Sequence, residues 1–247
     1  MNTFSYGWLP QPYDERDFVL GLPTKVTTPR TFDLRPKMPP VYNQGSLGSC
    51  TANAAGAAYQ FGISQQTPAK LLTPSTLFIY YNARVLMGTP DKDSGAYLRD
   101  AIKTLSKQGT CTVQEYPYII NKFAQKPPQI CYDSAISNRI TTYSSVMQTE
   151  VAIKQAVSSG KPVVFGFMVK KSFQSAYVRK TGYYRPKPDE QVLGGHAVLI
   201  VGYRGNNFIV RNSWGSDWGA KGYFTMPISE VLNNKVSFDF WAISSAI

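Results

Sequence analysis

The 247-residue chain is poor in three kinds of residue that often carry function: it has one histidine, three cysteines and 15 acidic residues. Three cysteines without a CxxC or CxxH pair argue against a disulfide-built fold and against a structural zinc site. A disulfide between Cys111 and Cys131 stays open, because its geometry cannot be read from a sequence. We expect no metal and no cofactor.

Long apolar runs are missing as well. A run such as Pro162–Val169 is far shorter than the roughly 18 residues that span a bilayer. The first ten residues have neither the basic nor the apolar region of a signal peptide. We therefore expect no membrane segment and a location in the cytoplasm or delivery by a non-classical route, for example in a virion.

The net charge of +11 results from 26 basic and 15 acidic residues, and no run of basic residues is longer than two. Nucleic-acid binding usually needs a concentrated basic stripe or a known motif. We therefore expect no nucleic-acid partner.

The pattern along the chain predicts an α+β protein with helices first and strands later. Residues 1–28 contain several prolines and are expected to form an extended N-terminal arm. Residues 29–247 are expected to form one domain with a helical lobe (about 29–140), a β lobe (about 141–247) and a cleft between them. Helices are predicted over 51–61, 73–86, 96–107 and 149–160, and strands of an antiparallel sheet or small barrel over 163–169, 196–203, 207–212 and 222–226.

Cys50 follows a turn-prone run of glycine and serine and precedes a segment of small residues that predicts a close-packed helix. A cysteine at the first turn of a helix lies near unpaired backbone N–H groups and the positive end of the helix dipole. We therefore expect a lowered thiol pKa and a nucleophile. The ordinary alternative is a buried structural cysteine.

The only imidazole of the chain belongs to His196, which is predicted at the start of a strand, on the rim of the fold. A thiolate needs a neighbouring base, and histidine titrates near neutral pH. A turn at Gly205-Asn206 would bring Asn212 back to His196, where its carbonyl could orient the imidazole under Trp214. Upstream of Cys50, the side-chain N–H of Gln44 could join the Cys50 backbone N–H in an oxyanion hole.

These motifs, taken together and in order, resemble the papain family of cysteine peptidases. The resemblance rests on Gln44 to Cys50, on Gly195-His196-Ala197 and on Asn212 to Trp218. Asp33-Leu34-Arg35 is similar to the start of the mature family domain, and Ser94-Gly95 and Tyr116-Pro117-Tyr118 are similar to further family segments. The resemblance to the family covers about residues 29–247.

The resemblance implies a papain-like endopeptidase with the active site between the two lobes. Cys50 would be the nucleophile, His196 the general acid and base, Asn212 the group that orients it and Gln44 the oxyanion donor. Substrate would be bound by Gly95, Ser94, Gly194, Trp214 and Trp218, with the two tryptophans lining the subsites after the scissile bond. The reaction would pass through a thioester on Cys50, and a monomer acting on proteins or peptides is expected, without a membrane partner.

Two departures from the family favour a bacterial or viral version. Leu47 stands where the family usually has a disulfide cysteine, and Thr51 replaces the tryptophan after the nucleophile. Residues 1–28 are too few for the separate inhibitory domain of the family, so we hypothesise that this arm lies over the cleft and keeps the enzyme latent. The alternatives are a non-cleaving binding protein on the peptidase fold, or an acyltransferase or transglutaminase using the same Cys–His chemistry.

Overall fold

The computed structural model describes residues 5–12, 14–15, 17–21, 27–68 and 72–246. Its α-helices are α1 (Cys50–Gln66), α2 (Thr76–Leu86), α3 (Leu98–Lys107), α4 (Gln129–Ala135), α5 (Glu150–Ser158), α6 (Ala176–Thr181) and α7 (Ile228–Leu232). Its strands are β1 (Thr31–Asp33), β2 (Ile140–Ser145), β3 (Val163–Lys170), β4 (Val192–Arg204), β5 (Asn207–Arg211), β6 (Tyr223–Pro227) and β7 (Ser237–Ala246). The predicted α+β class is confirmed.

The strands form one seven-stranded sheet in the order β2-β7-β3-β4-β5-β6, with β1 paired to β4. All of these pairings are antiparallel. β4 is at the centre of this arrangement, since it pairs with β1, β3 and β5. Strand β4 also contacts helices α1 and α5.

Helix α1 is the central helix of the fold and packs against α2 and α3 as well as against β4 and β7. Every residue from Cys50 to Tyr59 is buried. Small side chains make this possible: a Cβ atom at Gly56 would lie 3.0 Å from Thr76 of α2. The predicted helix is confirmed but continues to Gln66, beyond its expected end at Phe61.

Several predicted boundaries are wrong. Helix α2 begins at Thr76 rather than Thr73, because the Ser75 hydroxyl accepts the N–H of Phe78 and so caps the helix. Residues 110–145, for which no helix or strand was predicted, contain α4 and β2. Strands β1 and β7 were not predicted either.

The described part of the N-terminal arm contains a turn between Asp14 and Asp17 and is bonded to β2 and to α3. The N–H of Leu20 donates to the Ser145 carbonyl at 2.7 Å, and the N–H of Ser145 donates to the Phe18 carbonyl at 2.7 Å. On α3, Arg99 donates to the Pro12 carbonyl at 3.0 Å and forms an ion pair with Asp17.

All three cysteines are free and buried, so Cys111 and Cys131 form no disulfide. In the described ranges, no helix is long and apolar enough to cross a membrane. Among the same residues, no group of three or more His, Cys, Asp or Glu side chains is placed to hold a metal ion.

Candidate active site

Cys50 is the first residue of α1, and its side chain is fully buried. Burial raises the pKa of its thiol to about 11, although backbone N–H groups of Ala197, Gly7 and Thr51 act in the opposite direction. The lowered pKa expected from the helix terminus is therefore not found in this state of the protein. The contribution of Ala197 also places the thiol beside the residue that follows His196.

His196 lies inside β4, opposite Phe167 of β3, and is fully buried. The expectation of a position on the rim at a strand start is wrong, because β4 begins four residues earlier, at Val192. Its Nε2 is 2.8 Å from Oδ1 of Asn212, which directly follows β5. Burial lowers the pKa of His196 to about 4, while the bond to Asn212 acts in the opposite direction.

The contact with Asn212 fixes the tautomer of the imidazole. Asn212 Oδ1 also accepts the backbone N–H of Ser213 at 2.8 Å, which identifies it as an acceptor. The neutral His196 ring therefore carries its proton on Nε2, and Nδ1 is the basic nitrogen. Within the described part of the chain, Nδ1 has no hydrogen-bond partner.

Aromatic rings cover this pair. Trp214 stacks on the His196 ring with centroids 4.9 Å apart and an interplanar angle of 29°. Trp218 meets Trp214 edge to face at 5.2 Å, and Phe173 packs against both tryptophans. Such a cover excludes water and strengthens the hydrogen bond between His196 and Asn212.

The Gln44 amide is held in one orientation. Its Oε1 accepts the hydroxyl of Ser213 at 2.6 Å, so Nε2 is the atom that donates to its other partners. Nε2 donates to the Leu47 carbonyl at 2.9 Å and to the carbonyl of Ser5 in the arm at 3.2 Å. The proposed oxyanion donor therefore already binds a carbonyl oxygen.

The turn between Gln44 and Cys50 is supported by residues that the sequence did not reveal. Asp93 accepts the N–H of Gly48 at 3.1 Å and the hydroxyl of Tyr80 at 2.5 Å, and that hydroxyl in turn accepts the N–H of Gly95 at 3.1 Å. Leu47, where the family usually has a disulfide cysteine, is a buried side chain within this turn. Asp93 thus connects the turn to the segment around Gly95 without a covalent bond.

The arm lies in the cleft and makes backbone hydrogen bonds with the residues that line it. Three successive arm residues make backbone hydrogen bonds with the cleft. Ala96 N–H donates to the Gly7 carbonyl at 2.8 Å, Trp8 N–H donates to the Gly195 carbonyl at 3.1 Å, and Leu9 N–H donates to the Ala96 carbonyl at 3.3 Å. A Cβ atom at Gly95 would lie 2.2 Å from the Gly7 carbonyl oxygen. Only glycine at position 95, at a φ of +74°, allows this approach.

On either side of Gly7, two aromatic residues of the arm fill the cleft. Tyr6 packs against His196 and Trp214, with ring centroids 6.1 and 6.2 Å away, and its hydroxyl accepts a hydrogen bond from Gln174 at 2.5 Å. Trp8 is 2% exposed although it belongs to a terminal arm. Its indole N–H donates to Asp239 at 3.0 Å.

The predicted substrate-binding residues do not all face the cleft. Gly95, Gly194 and Trp214 contact the arm, and a Cβ atom at Gly194 would lie 3.0 Å from Tyr6. The Ser94 hydroxyl bonds to Thr89 and to the Gly95 carbonyl, and Trp218 packs behind Trp214. Asp239 was missed because it lies on the unpredicted strand β7.

Comparison with known proteins places this arrangement in a family. The model of the papain family cysteine proteases matches residues 28–238. An uncharacterized peptidase C1-like protein of Acanthamoeba polyphaga mimivirus is 40% identical over 97% of this chain and 86% of its own length. A cathepsin B-like protein of Giardia intestinalis is 29% identical over 82% of this chain and 70% of its own.

Solved structures of other proteins have the same fold. The crystal structure of xylellain, a cysteine protease from Xylella fastidiosa, superposes with a TM-score of 0.93 at 38% identity, covering 97% of this chain and 96% of that one. The procathepsin B of Trypanosoma congolense shares the fold, with a TM-score of 0.80 at 19% identity over 97% of this chain and 86% of that one. The chain belongs to the papain family of cysteine proteases.

Proposed function

We propose that this cysteine peptidase is an endopeptidase that cleaves peptide bonds through a thioester on Cys50 and that its N-terminal arm keeps it latent. The observation that carries the chemistry is the His196–Asn212 bond of 2.8 Å beneath Trp214, beside a cysteine that begins α1. A nucleophile, a base and a group that orients the base are the parts that acyl transfer by a thiol requires.

In the proposed reaction, Nδ1 of His196 takes the proton of the Cys50 thiol and the sulfur attacks the carbonyl carbon of the substrate. The oxygen of the tetrahedral intermediate accepts hydrogen bonds from Nε2 of Gln44 and from the backbone N–H of Cys50. His196 then gives its proton to the departing amine, which leaves a thioester. A water molecule, deprotonated by His196, hydrolyses that thioester and restores the thiol.

The surroundings of Gln44, Cys50 and His196 in the presence of the arm support the proposed latency. The Ser5 carbonyl takes the Gln44 N–H that the reaction needs, at 3.2 Å. With the arm in place both catalytic side chains are buried, and burial favours their neutral forms, with a pKa of about 11 for Cys50 and about 4 for His196. A thiol and a neutral imidazole are a poor nucleophilic pair, because the thiolate is the reactive form.

The direction of the arm supports a role as an inhibitor rather than as a substrate. Along the arm, Tyr6 lies at Trp214, where residues after the scissile bond are expected to bind, and Trp8 follows on the opposite side of Gln44 and Cys50, pairing with Ala96. A substrate would place its earlier residues at Ala96 and its later ones at Trp214. The arm therefore runs in the reverse sense and presents its peptide bonds in the wrong orientation.

Three further assignments belong to this proposal. Residues 1–28 form the arm, and residues 29–247 the peptidase domain with lobes meeting near residue 140. The enzyme acts as a monomer, without nucleic acid or membrane. The proposed location is the cytoplasm, or a place reached by a non-classical route, and the likeness to a mimivirus protein is consistent with a virion as such a route.

An epoxide thiol-protease inhibitor tests both parts of the proposal. We expect covalent labelling of Cys50, located by peptide mass spectrometry, that is lost in His196→Ala. Deletion of residues 1–28 should accelerate labelling and hydrolysis of a small fluorogenic peptide. Labelling without turnover of any peptide, in the full chain and in the deletion, would instead support a non-cleaving binding protein.

A further inference from the structure

Tyr118 reaches the turn between Gln44 and Cys50 from the loop that connects α3 and α4. Its hydroxyl donates to the Gln44 carbonyl at 2.9 Å and lies 2.5 Å from Oγ of Ser49. Because a phenol has one proton and a carbonyl oxygen can only accept, the Ser49 hydroxyl donates to Tyr118. A single side chain therefore joins the first residue of the turn to the residue that precedes Cys50.

The hydroxyl of Ser49 is used for this connection rather than for its helix. Ser49 directly precedes α1, where a serine side chain usually accepts an N–H of the first turn, but it makes no such bond. Oγ instead donates to Tyr118 and accepts the side-chain N–H of Asn53 at 3.0 Å. Both Ser49 and Asn53 are buried, so bulk water does not compete for these groups.

The direction of the Cys50 N–H depends on Ser49. This N–H and the Ser49 carbonyl belong to one planar peptide group. The carbonyl accepts two N–H groups of Asn53, the backbone one at 3.0 Å and the side-chain one at 2.9 Å. These bonds fix the plane of the peptide and polarise it, which makes the Cys50 N–H a stronger donor.

Gln44 is held from two sides. Ser213 holds one side, since its carbonyl accepts the Gln44 backbone N–H at 2.9 Å and its hydroxyl donates to Oε1 at 2.6 Å. Tyr118 holds the other side through the Gln44 carbonyl at 2.9 Å. The N–H of Leu47 reaches the same carbonyl at 3.4 Å, which is longer than an ordinary N–H···O bond. Tyr118 therefore provides the stronger of the two bonds to this carbonyl.

On this basis, and resting on the proposed peptidase function, we infer that Tyr118 is a positioning residue for the oxyanion hole. Its hydroxyl sets the distance between Gln44 and Ser49, and thereby the distance between the Gln44 side-chain N–H and the Cys50 N–H. Both donors must point at the oxygen that becomes negative in the transition state, and a displacement of about 1 Å costs about 10²-fold in rate. Tyr118 acts through these residues, because its one proton is bound to the Gln44 carbonyl.

A purely structural role would have a different signature. Tyr118 packs against the hydrophobic core, so loss of its hydroxyl could simply weaken the fold. Such weakening would affect the Cys50 thiol and the oxyanion hole alike. Iodoacetamide separates the two effects, because the thiolate displaces iodide from a saturated carbon and no oxyanion forms.

The test uses the full chain with Trp8→Ala, so that the arm leaves the cleft, and adds Tyr118→Phe to it. Tyr132→Phe in the same chain is the matched control, because this half-buried tyrosine on α4 also donates a hydrogen bond, to Asn82 Oδ1 at 3.1 Å. Each variant is measured for hydrolysis of a fluorogenic peptide amide, for the rate of Cys50 alkylation by iodoacetamide and for Tm.

We expect Tyr118→Phe to lower kcat for the amide about 10- to 100-fold, with KM and the alkylation rate changed by less than about twofold. Ser49→Ala, which breaks the same link without removing a helix cap, should also lower kcat, and Tyr132→Phe should leave it unchanged. In a chain that also carries Gln44→Ala, Tyr118→Phe should lower kcat only about threefold or less, because the donor that it positions is already absent.

An unchanged kcat in both Tyr118→Phe and Ser49→Ala overturns the inference, while turnover shows that the peptidase function stands. An equal loss of kcat and of alkylation also overturns it, since the effect would then lie in the fold. Failure of the Trp8→Ala chain to cleave any peptide, although iodoacetamide reaches Cys50, overturns the proposed function and the inference with it.

Discussion

Trp8→Ala should shift the full-length protein from the closed form towards an open form, in which the arm has left the cleft. The 2% exposure of Trp8 means that nearly the whole indole is buried against the cleft. Truncation of a buried tryptophan to alanine costs about 3–5 kcal/mol. Since each 1.4 kcal/mol is a factor of ten, the ratio of open to closed protein should rise by roughly 10² to 4 × 10³.

The rate constant for labelling of Cys50 by an epoxide inhibitor reports this ratio directly, as long as the closed form does not react. Trp8→Phe keeps the stacking on Phe238 but loses the hydrogen bond to Asp239, so a smaller increase of about ten- to a hundredfold is expected. Deletion of residues 1–28 sets the upper limit that Trp8→Ala cannot exceed.

Phe18→Ala is the matched control, because Phe18 belongs to the same arm and its side chain is 81% exposed. Its labelling rate should equal that of the unaltered chain. Equal rates for Trp8→Ala, Phe18→Ala and the unaltered chain would refute the reasoning, since the arm would then not limit access to Cys50.

Three further predictions concern the site and its supports. Gln44→Ala in the arm-deleted chain should lower kcat by about 10²–10³, measured with a fluorogenic peptide, because one oxyanion donor is lost; an unchanged kcat would exclude that role. Asp93→Ala should leave the Gly48 N–H and the Tyr80 hydroxyl unpaired and destabilise the fold by about 1–3 kcal/mol, which calorimetry would detect as a Tm lowered by about 2–4 °C per kcal/mol. Burial raises the pKa of Asp239 from 3.8 to about 6, so its contribution to stability is present below about pH 4 and is lost as the pH rises through 6. The Tm of Asp239→Asn relative to the unaltered chain should therefore increase between pH 4 and pH 7, and a constant difference would contradict this.

Part of the fold could be predicted from residues that cap a helix, end it or allow it to pack closely. Thr149 was expected to begin a helix that ends before Gly160, and α5 runs from Glu150 to Ser158 with the Thr149 hydroxyl accepting the N–H of Ala152. The small residues after Cys50 likewise predicted a close-packed helix. The helix predicted from residue 73 instead begins at Thr76, because Ser75 is its cap and the Ser75 hydroxyl is also held by a tertiary contact, its hydrogen bond to the Tyr116 carbonyl.

The candidate site was predictable where its residues lie in recognisable motifs and unpredictable where distant segments meet. Cys50, His196 and Asn212 could be named from their neighbours in the sequence. The thiol pKa of Cys50 was predicted with the wrong sign, because burial of the side chain outweighs the backbone N–H groups that act in the opposite direction. Asp239 could not be recognised, since its direction depends on a bulge between strands about 70 residues apart in the chain.

The hydrogen bonds of Asp93 have a practical consequence for how this enzyme tolerates its chemical surroundings. A peptidase with a thiol nucleophile stays active only where that thiol is kept reduced, and the same conditions break disulfides. Here Leu47 leaves the turn before Cys50 without a crosslink, and Asp93 ties that turn to Gly95 through groups that reductants do not attack. Strong reductants should therefore protect the nucleophile of this protein without weakening the turn that positions it.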